Sequence, residues 1–191
     1  MHISMKRVFI AVKIDPADTL LEMVSDFRTV LKDEKIKWTE IENFHITLAF
    51  LGDTEEGKIK DIAAMLKKTC ALKRAFEILI KGAGLFKNLK DPRVLWTGIE
   101  HSDDLISLFE SVSLGLKNRG ITLEERHFNP HLTLGRIKSI KNHDELKSLI
   151  NLYVNREIQN QPVKEIILYE SILFHSGPVY KPLWKFPLAD G

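Results

Sequence analysis

The 191-residue chain has a single cysteine, Cys70, so it can form no internal disulfide. That excludes a small secreted scaffold held by disulfides. Cys70 sits in helical text and reads as a small buried side chain rather than a catalytic thiol. No apolar run approaches the ~18–20 residues that a membrane-spanning helix needs. There is no excess of charge either: 28 Lys and Arg stand against 26 Asp and Glu, a net of +2. A histone-like polycation is excluded, whereas a local basic groove for an anionic substrate is not. The chain lacks a Gly-x-x-x-x-Gly-Lys-Ser/Thr loop, the usual cradle for a nucleoside triphosphate. No linker rich in Pro, Gly or Ser divides it. Near the N-terminus, Lys6 and Arg7 precede the apolar run Val8–Val12, but Lys13 and Asp15 follow at once. The run is too short for a signal-peptide core. It is expected to be a strand, and the protein to be cytoplasmic.

What the sequence does contain is alternation of strand and helix patterns. Arg7–Ile14, Phe44–Leu51, Phe76–Ile80, Arg93–Ile99, His131–Ile137, Val163–Phe174 and Val179–Phe186 read as strands. Helices are expected from Pro16 or Asp18 to about Lys32, then over Glu55–Lys68, Asp103–Lys117 and Glu145–Ile150. The first should bury Leu20, Val24, Phe27, Val30 and Leu31. The second half repeats the plan of the first. These alternations predict an α+β fold with a largely antiparallel sheet.

Within that plan a short motif occurs twice. Residues 44–48 read Phe-His-Ile-Thr-Leu and residues 130–134 read Pro-His-Leu-Thr-Leu, close to half a chain length apart. In a strand, side chains two residues apart share a face. His45 and Thr47 therefore face one way, with Ile46 and Leu48 in the core behind them; His131 and Thr133 stand likewise over Leu132 and Leu134. Two such strands packed about a pseudo-twofold axis would gather two imidazoles and two hydroxyls around one cleft. Imidazole titrates near neutrality, so one ring can accept a proton while the other donates. Thr hydroxyls can hydrogen-bond non-bridging phosphate oxygens. The set suits phosphodiester chemistry. It lacks the three or four ligands of a metal site, so neither metal nor cofactor is expected. His2, His101, His127, His143 and His175 have no second copy and carry less weight.

These segments resemble the 2H phosphoesterase superfamily, and within it the RNA 2′,3′-cyclic phosphodiesterase family, also called 2′-5′ RNA ligase. The resemblance runs through Arg7–Val12, Asn43–Gly52, Pro92–Gly98, Phe128–Arg136, Leu168–Ser171 and Gly177–Tyr180, nearly the whole chain. It implies a single bilobal domain over residues 1–191: two mostly antiparallel sheets, helices outside, a central cleft and one motif in each lobe. It implies metal-independent hydrolysis of an RNA-terminal 2′,3′-cyclic phosphate to a 2′-phosphate. His45 would be the proton donor and His131 the acceptor, with Thr47 and Thr133 on the phosphate oxygens. With a 5′-hydroxyl in place of water, the same site would make a 2′-5′ linkage without ATP. Two other readings stay open: another phosphodiester substrate, such as 2′-5′ oligoadenylate or a 3′-terminal RNA linkage, and a non-catalytic module that binds RNA ends.

Further contacts are expected from residues near the motifs. Arg136 would point away from the catalytic face on an ideal strand, and a bulge at Gly135 would restore it. It is then a phosphate ligand, or else part of a surface ion pair. Arg93 is a weaker candidate of the same kind. Phe50, Trp96 and Tyr180 could stack on a base, as could the loop Gly84–Lys90, although strand aromatics are usually core. Lys6, Arg7, Arg126 and Lys181 could add phosphate contacts. RNA with 2′,3′-cyclic phosphate or 5′-hydroxyl ends is the expected partner, no membrane association is expected, and the chain is expected to act as a monomer.

Overall fold

A computed structural model describes residues 4–121, 123, 127–175 and 177–190. The expected positions His2 and Arg126 lie outside the described residues. The chain runs β1 (Met5–Lys13), α1 (Asp18–Val30), β2 (Lys35–Trp38), a short 3-10 turn, β3 (His45–Glu55), α2 (Glu56–Cys70), β4 (Phe76–Phe86) and β5 (Val94–Ile99). It continues through α3 (Asp103–Lys117), β6 (His131–Ser139), α4 (His143–Tyr153), β7 (Glu157–Val163), β8 (Glu165–Phe174) and β9 (Gly177–Pro187). The fold is α+β, as expected.

The strands form one nine-stranded sheet in the order β7-β4-β5-β6-β3-β1-β8-β9, with β2 added to β6. All strand pairs are antiparallel. Two four-stranded arms meet at the centre, where β3 and β6 touch through one register pair, Ile46 with Leu132. Beyond that point β6 takes β2 as its neighbour, pairing Lys37 with Arg136 and Trp38 with Gly135. The arms are not the two halves of the sequence. The β4–β5 hairpin, from the first half, pairs with β6, while the β8–β9 hairpin, from the second half, pairs with β1. Each half thus contributes strands to both arms.

Burial follows the helical periodicity. Helix α1 buries Leu20, Met23, Val24 and Phe27, and α3 buries Leu105, Leu108, Val112 and Leu116. Val30 is 42% exposed, because the stripe continues through Leu31, one residue and about 100° further round the helix. Ser102 caps α3 by accepting from the Leu105 amide, and Asn142 caps α4 by accepting from the Glu145 amide. Helices α2 and α3 pack with each other and on β3. On the other arm α1 and α4 meet through Phe27 and Tyr153. Cys70 is buried within the core, and burial pushes its thiol up to about 12. Such a thiol is not a nucleophile at neutral pH. Among the described residues no helix is long and apolar enough to cross a membrane.

Strand β1 is buried from Val8 to Val12, on both faces. Val8, Ile10 and Val12 enter the helix-covered core. Phe9 and Ala11 pack with Ile167, Tyr169 and Tyr180 on the opposite side. That opposite side is where the motifs face.

Candidate active site at the centre of the sheet

Both motifs stand at the start of a central strand, beside the single contact between the arms. Ile46 and Leu132 are buried and form that contact; Leu48 and Leu134 are also buried. His45, Thr47, His131 and Thr133 therefore take the opposite face, as the alternation predicts. Each strand then departs from strict alternation at the same place. In β3, Ala49 pairs with Ile10 and Thr47 with Ala11, leaving Leu48 as an extra residue. In β6, Gly135 pairs with Leu95 and Thr133 with Trp96, leaving Leu134 extra. Each bulge shifts the alternation by one. Phe50 and Arg136, three residues after their threonines, are thereby exposed, whereas Ala49 and Gly135 are buried. The bulge expected at Gly135 lies one residue earlier, at Leu134, and β3 carries its counterpart at Leu48. Gly135 itself has no room for a side chain, since a Cβ there would meet Ile36 at 2.8 Å and Trp38 at 3.1 Å.

The two imidazoles are oriented by the same device. His45 Nδ1 lies 2.6 Å from the Asn43 carbonyl oxygen, and His131 Nδ1 lies 2.8 Å from the Asn129 carbonyl oxygen. A carbonyl only accepts, so Nδ1 carries the proton and donates it in both bonds. Nε2 is left as the reactive nitrogen of each ring. Sequence reasoning missed this device. Its only trace there is an Asn two residues before each histidine.

The surroundings of the two rings differ. His45 is boxed by Phe9 at 5.1 Å and by the edge of Tyr180 at 5.2 Å between centroids. His131 has Phe86 edge-on at 4.6 Å, and Phe86 in turn leans on Trp96. Burial pushes both histidines below the usual imidazole value; the Asn carbonyls oppose that shift, and the positive charge of Arg136 adds to it. Burial raises the Tyr180 phenol, against Arg136 and Arg7.

A cavity of about 350 Å³ opens at the first motif. Its lining includes His45 and Thr47 of the motif, the guanidinium residues Arg7 and Arg136, the Phe50 ring, Ser171 and Tyr180. Arg7 stacks over the Phe50 ring at 4.9 Å. Imidazole, hydroxyl and guanidinium groups in one small cavity can bind a phosphate ester and exchange protons with it. Sequence reasoning did not single out Phe9 or Ser171. Both are strand residues whose roles depend on which neighbours the sheet gives them.

The other expected contacts fall elsewhere. Arg93 is exposed at the start of β5 and directs its guanidinium to Asp91, with Nε at 3.0 Å. Lys87 also pairs with Asp91, and Asn88 Oδ1 accepts from the amides of Lys90 and Asp91. The loop after Phe86 is thus a closed polar turn. Trp96 is half-buried against Gly84, and its indole Nε1 is buried without a hydrogen-bond partner among the described residues. Lys6 lies between Glu56 and Glu170. His101 pairs with Asp103, and His143 donates through Nδ1 to the Leu89 carbonyl at 2.7 Å.

Known proteins resemble this chain in sequence and in fold. The family described as LigT like Phosphoesterase matches residues 11–96 and 99–180, a span that includes both motifs. A Methanothermobacter thermautotrophicus protein named RNA 2′,3′-cyclic phosphodiesterase is 38% identical over 184 residues, covering 95% of this chain and 98% of the relative. A Methanocaldococcus jannaschii protein of the same name is 35% identical, covering 92% and 96%. A crystal structure from Thermus thermophilus superposes with a TM-score of 0.78 at 25% identity, covering 95% of this chain and 97% of the other. The family match spans both His-x-Thr strands and the relatives cover nearly the whole chain, so the chain belongs to the LigT-like phosphoesterase family.

Proposed function

We propose that the chain is a metal-independent hydrolase of RNA-terminal 2′,3′-cyclic phosphates, yielding a 2′-phosphate and a free 3′-hydroxyl. The observation that carries this reading is the pair of oriented imidazoles, each with Nδ1 tied to a carbonyl and Nε2 left for chemistry. His131 Nε2 takes a proton from water as the water oxygen bonds to phosphorus. His45 Nε2 gives a proton to the 3′ oxygen as its bond to phosphorus breaks. Thr47 and Thr133 donate to the non-bridging oxygens, and the Arg136 guanidinium balances their charge. Acid, base and oxyanion donors are then all supplied by side chains. The names of the archaeal relatives favour the same substrate class. With a 5′-hydroxyl in place of water, the same groups form a 2′-5′ linkage. The reading treats the chain as one bilobal unit, active as a cytoplasmic monomer, because each arm supplies one histidine.

The test is product identification from an RNA ending in a 2′,3′-cyclic phosphate, with EDTA present. The expected product is the 2′-phosphate at an undiminished rate. A 3′-phosphate product, or activity abolished by EDTA, overturns the reading. Tight RNA binding without turnover between pH 5 and 8 would instead identify a binding module.

A further inference from the structure

Lys37 has no part in the cavity, yet its position is specific. It lies on β2, directly across from Arg136, so the two side chains leave the sheet on the same face. Its ammonium reaches the turn between β8 and β9: a Cβ on Gly177 would stand 3.2 Å from Lys37 Nζ. Gly177 has a φ of +146°, a backbone conformation that side chains rarely adopt. The neighbouring Pro178 lines the cavity, as does Leu173, its partner across the hairpin. Asn43 Nδ2 donates to the Pro178 carbonyl at 3.3 Å, tying the segment before β3 to this turn. The lysine therefore sits at the cavity mouth, one strand outside Arg136. Among the described residues no carboxylate lies within 4.0 Å of it.

We propose that Lys37, with Leu173 and Pro178 beside it, forms a subsite for the phosphodiester preceding the terminal nucleotide, so that the enzyme favours an RNA strand end over a free cyclic mononucleotide. The inference rests on the function proposed above and names the substrate class of that same site. The terminal phosphate engages the histidines, threonines and Arg136. The Lys37 stem carries its charge outward to the next phosphate along the strand. The exposed Leu173 and the half-buried Pro178 beside it offer an apolar surface to the sugar or base between the two phosphates. A lysine suits this place because a compact charge on a flexible stem tolerates the variable geometry of a single strand.

The experiment compares a 2′,3′-cyclic mononucleotide with a trinucleotide bearing the same end, using wild type, Lys37→Ala, Lys37→Arg and Lys60→Ala. Lys60→Ala removes one charge from exposed α2 as a control. Lys37→Ala is expected to lower kcat/KM on the trinucleotide about tenfold, through KM, the scale of one charge-assisted hydrogen bond. It should leave mononucleotide turnover unchanged and lower the salt slope on the trinucleotide by about 0.7. Lys37→Arg should restore most of the difference. Equal losses on both substrates, no loss on either, or the same loss in Lys60→Ala would overturn the proposal. Dissociation constants for the matching 2′-phosphate trinucleotide and mononucleotide give the same discrimination without turnover. Wild-type inactivity on both cyclic substrates would sink the proposed function, while the binding ratio still judges Lys37.

Discussion

The two motif strands share a backbone plan and differ in what surrounds it. On each, an Asn carbonyl holds a histidine, a threonine follows on the same face, and a bulge turns the residue three further on outward. In β3 that residue is Phe50; in β6 it is Arg136. His45 is enclosed by Phe9 and Tyr180 and faces a cavity, whereas His131 has the edge-on Phe86 ring against it. What is equal between the arms is the proton-transfer apparatus. What is unequal is the surround: Phe9, Tyr180, Phe50 and Arg7 about the first histidine, Phe86 and Trp96 beside the second, with Arg136 reaching from the second strand into the cavity at the first motif. A symmetric acid–base pair can run in either direction, so the asymmetric surroundings must hold the substrate one way round.

The greatest loss should follow removal of each ring in turn. His45→Ala and His131→Ala should each lower turnover of a cyclic phosphate about 10²–10⁴-fold, as loss of a general acid or base does. Near-wild-type turnover in both would show that the equal parts of the two arms are not the working parts. Next come the hydroxyls. Thr47→Val and Thr133→Val keep shape and remove a donor, with an expected loss on the order of 10²–10³-fold in kcat. If only one of the two matters, the oxyanion donors belong to the asymmetric part of the site.

The particular residues explain what the sequence disclosed. The motif histidines and threonines were legible because strand alternation is a local rule and the pattern occurs twice. A bulge beside Thr133 was partly legible, because Arg136 is out of phase with Thr133 on an ideal strand and a bulge was one way to return it to the motif face; the other, a surface ion pair, needs none. The matching bulge in β3 was not, since Phe50 makes sense either in a core or in a cleft. Strand β2 was missed because four residues, Lys35–Trp38, give too short a pattern. Strand β7 was missed because it contains Pro162 and a polar run. Both make sense in place: β7 is an edge strand, where proline is tolerated. Gln159 Oε1 accepts from the Ala17 amide at 2.8 Å and Gln161 Oε1 from the Asp15 amide at 3.3 Å, holding the chain as it enters α1. The exchange of hairpins between the arms depends on contacts distant in sequence, which no local pattern encodes.

The arms also differ in how they fill volume. On the motif face of one arm, Ala11 pairs with Ile167; at the matching place in the other, Trp96 pairs with Gly84. One arm divides the space between two side chains, and the other gives it all to an indole. A Cβ on Gly84 would lie 2.3 Å from the Trp96 ring. Gly84→Ala should therefore destabilise the fold by ~1–3 kcal/mol, the usual penalty of overpacking. Denaturant unfolding measures it, and Trp96→Phe in the same chain should recover part of the loss. An unchanged midpoint in Gly84→Ala would mean the indole has another place to go.

A subtler effect tests how the Arg136 charge acts on both rings at once. His45 and His131 are each held below the usual imidazole value, first by burial and also by the Arg136 charge. In the free protein both rings are therefore predominantly neutral at pH 7, and both protonate at lower pH than an unperturbed imidazole. One ring must be protonated and the other neutral for reaction. The kcat/KM profile should accordingly be bell-shaped with its maximum on the acid side of about 6.5, the unperturbed imidazole value. An anionic phosphate in the site favours imidazolium, so the kcat profile should lie at higher pH than the kcat/KM profile. Arg136→Gln removes a positive charge that disfavours imidazolium. Both midpoints should then rise, by less than burial alone lowers them. Proton NMR of the imidazole rings, followed against pH in the free protein, reads this without any dependence on substrate binding. Rings that titrate unchanged in Arg136→Gln would show that Arg136 acts on the phosphate alone and leaves the proton-transfer pair untouched.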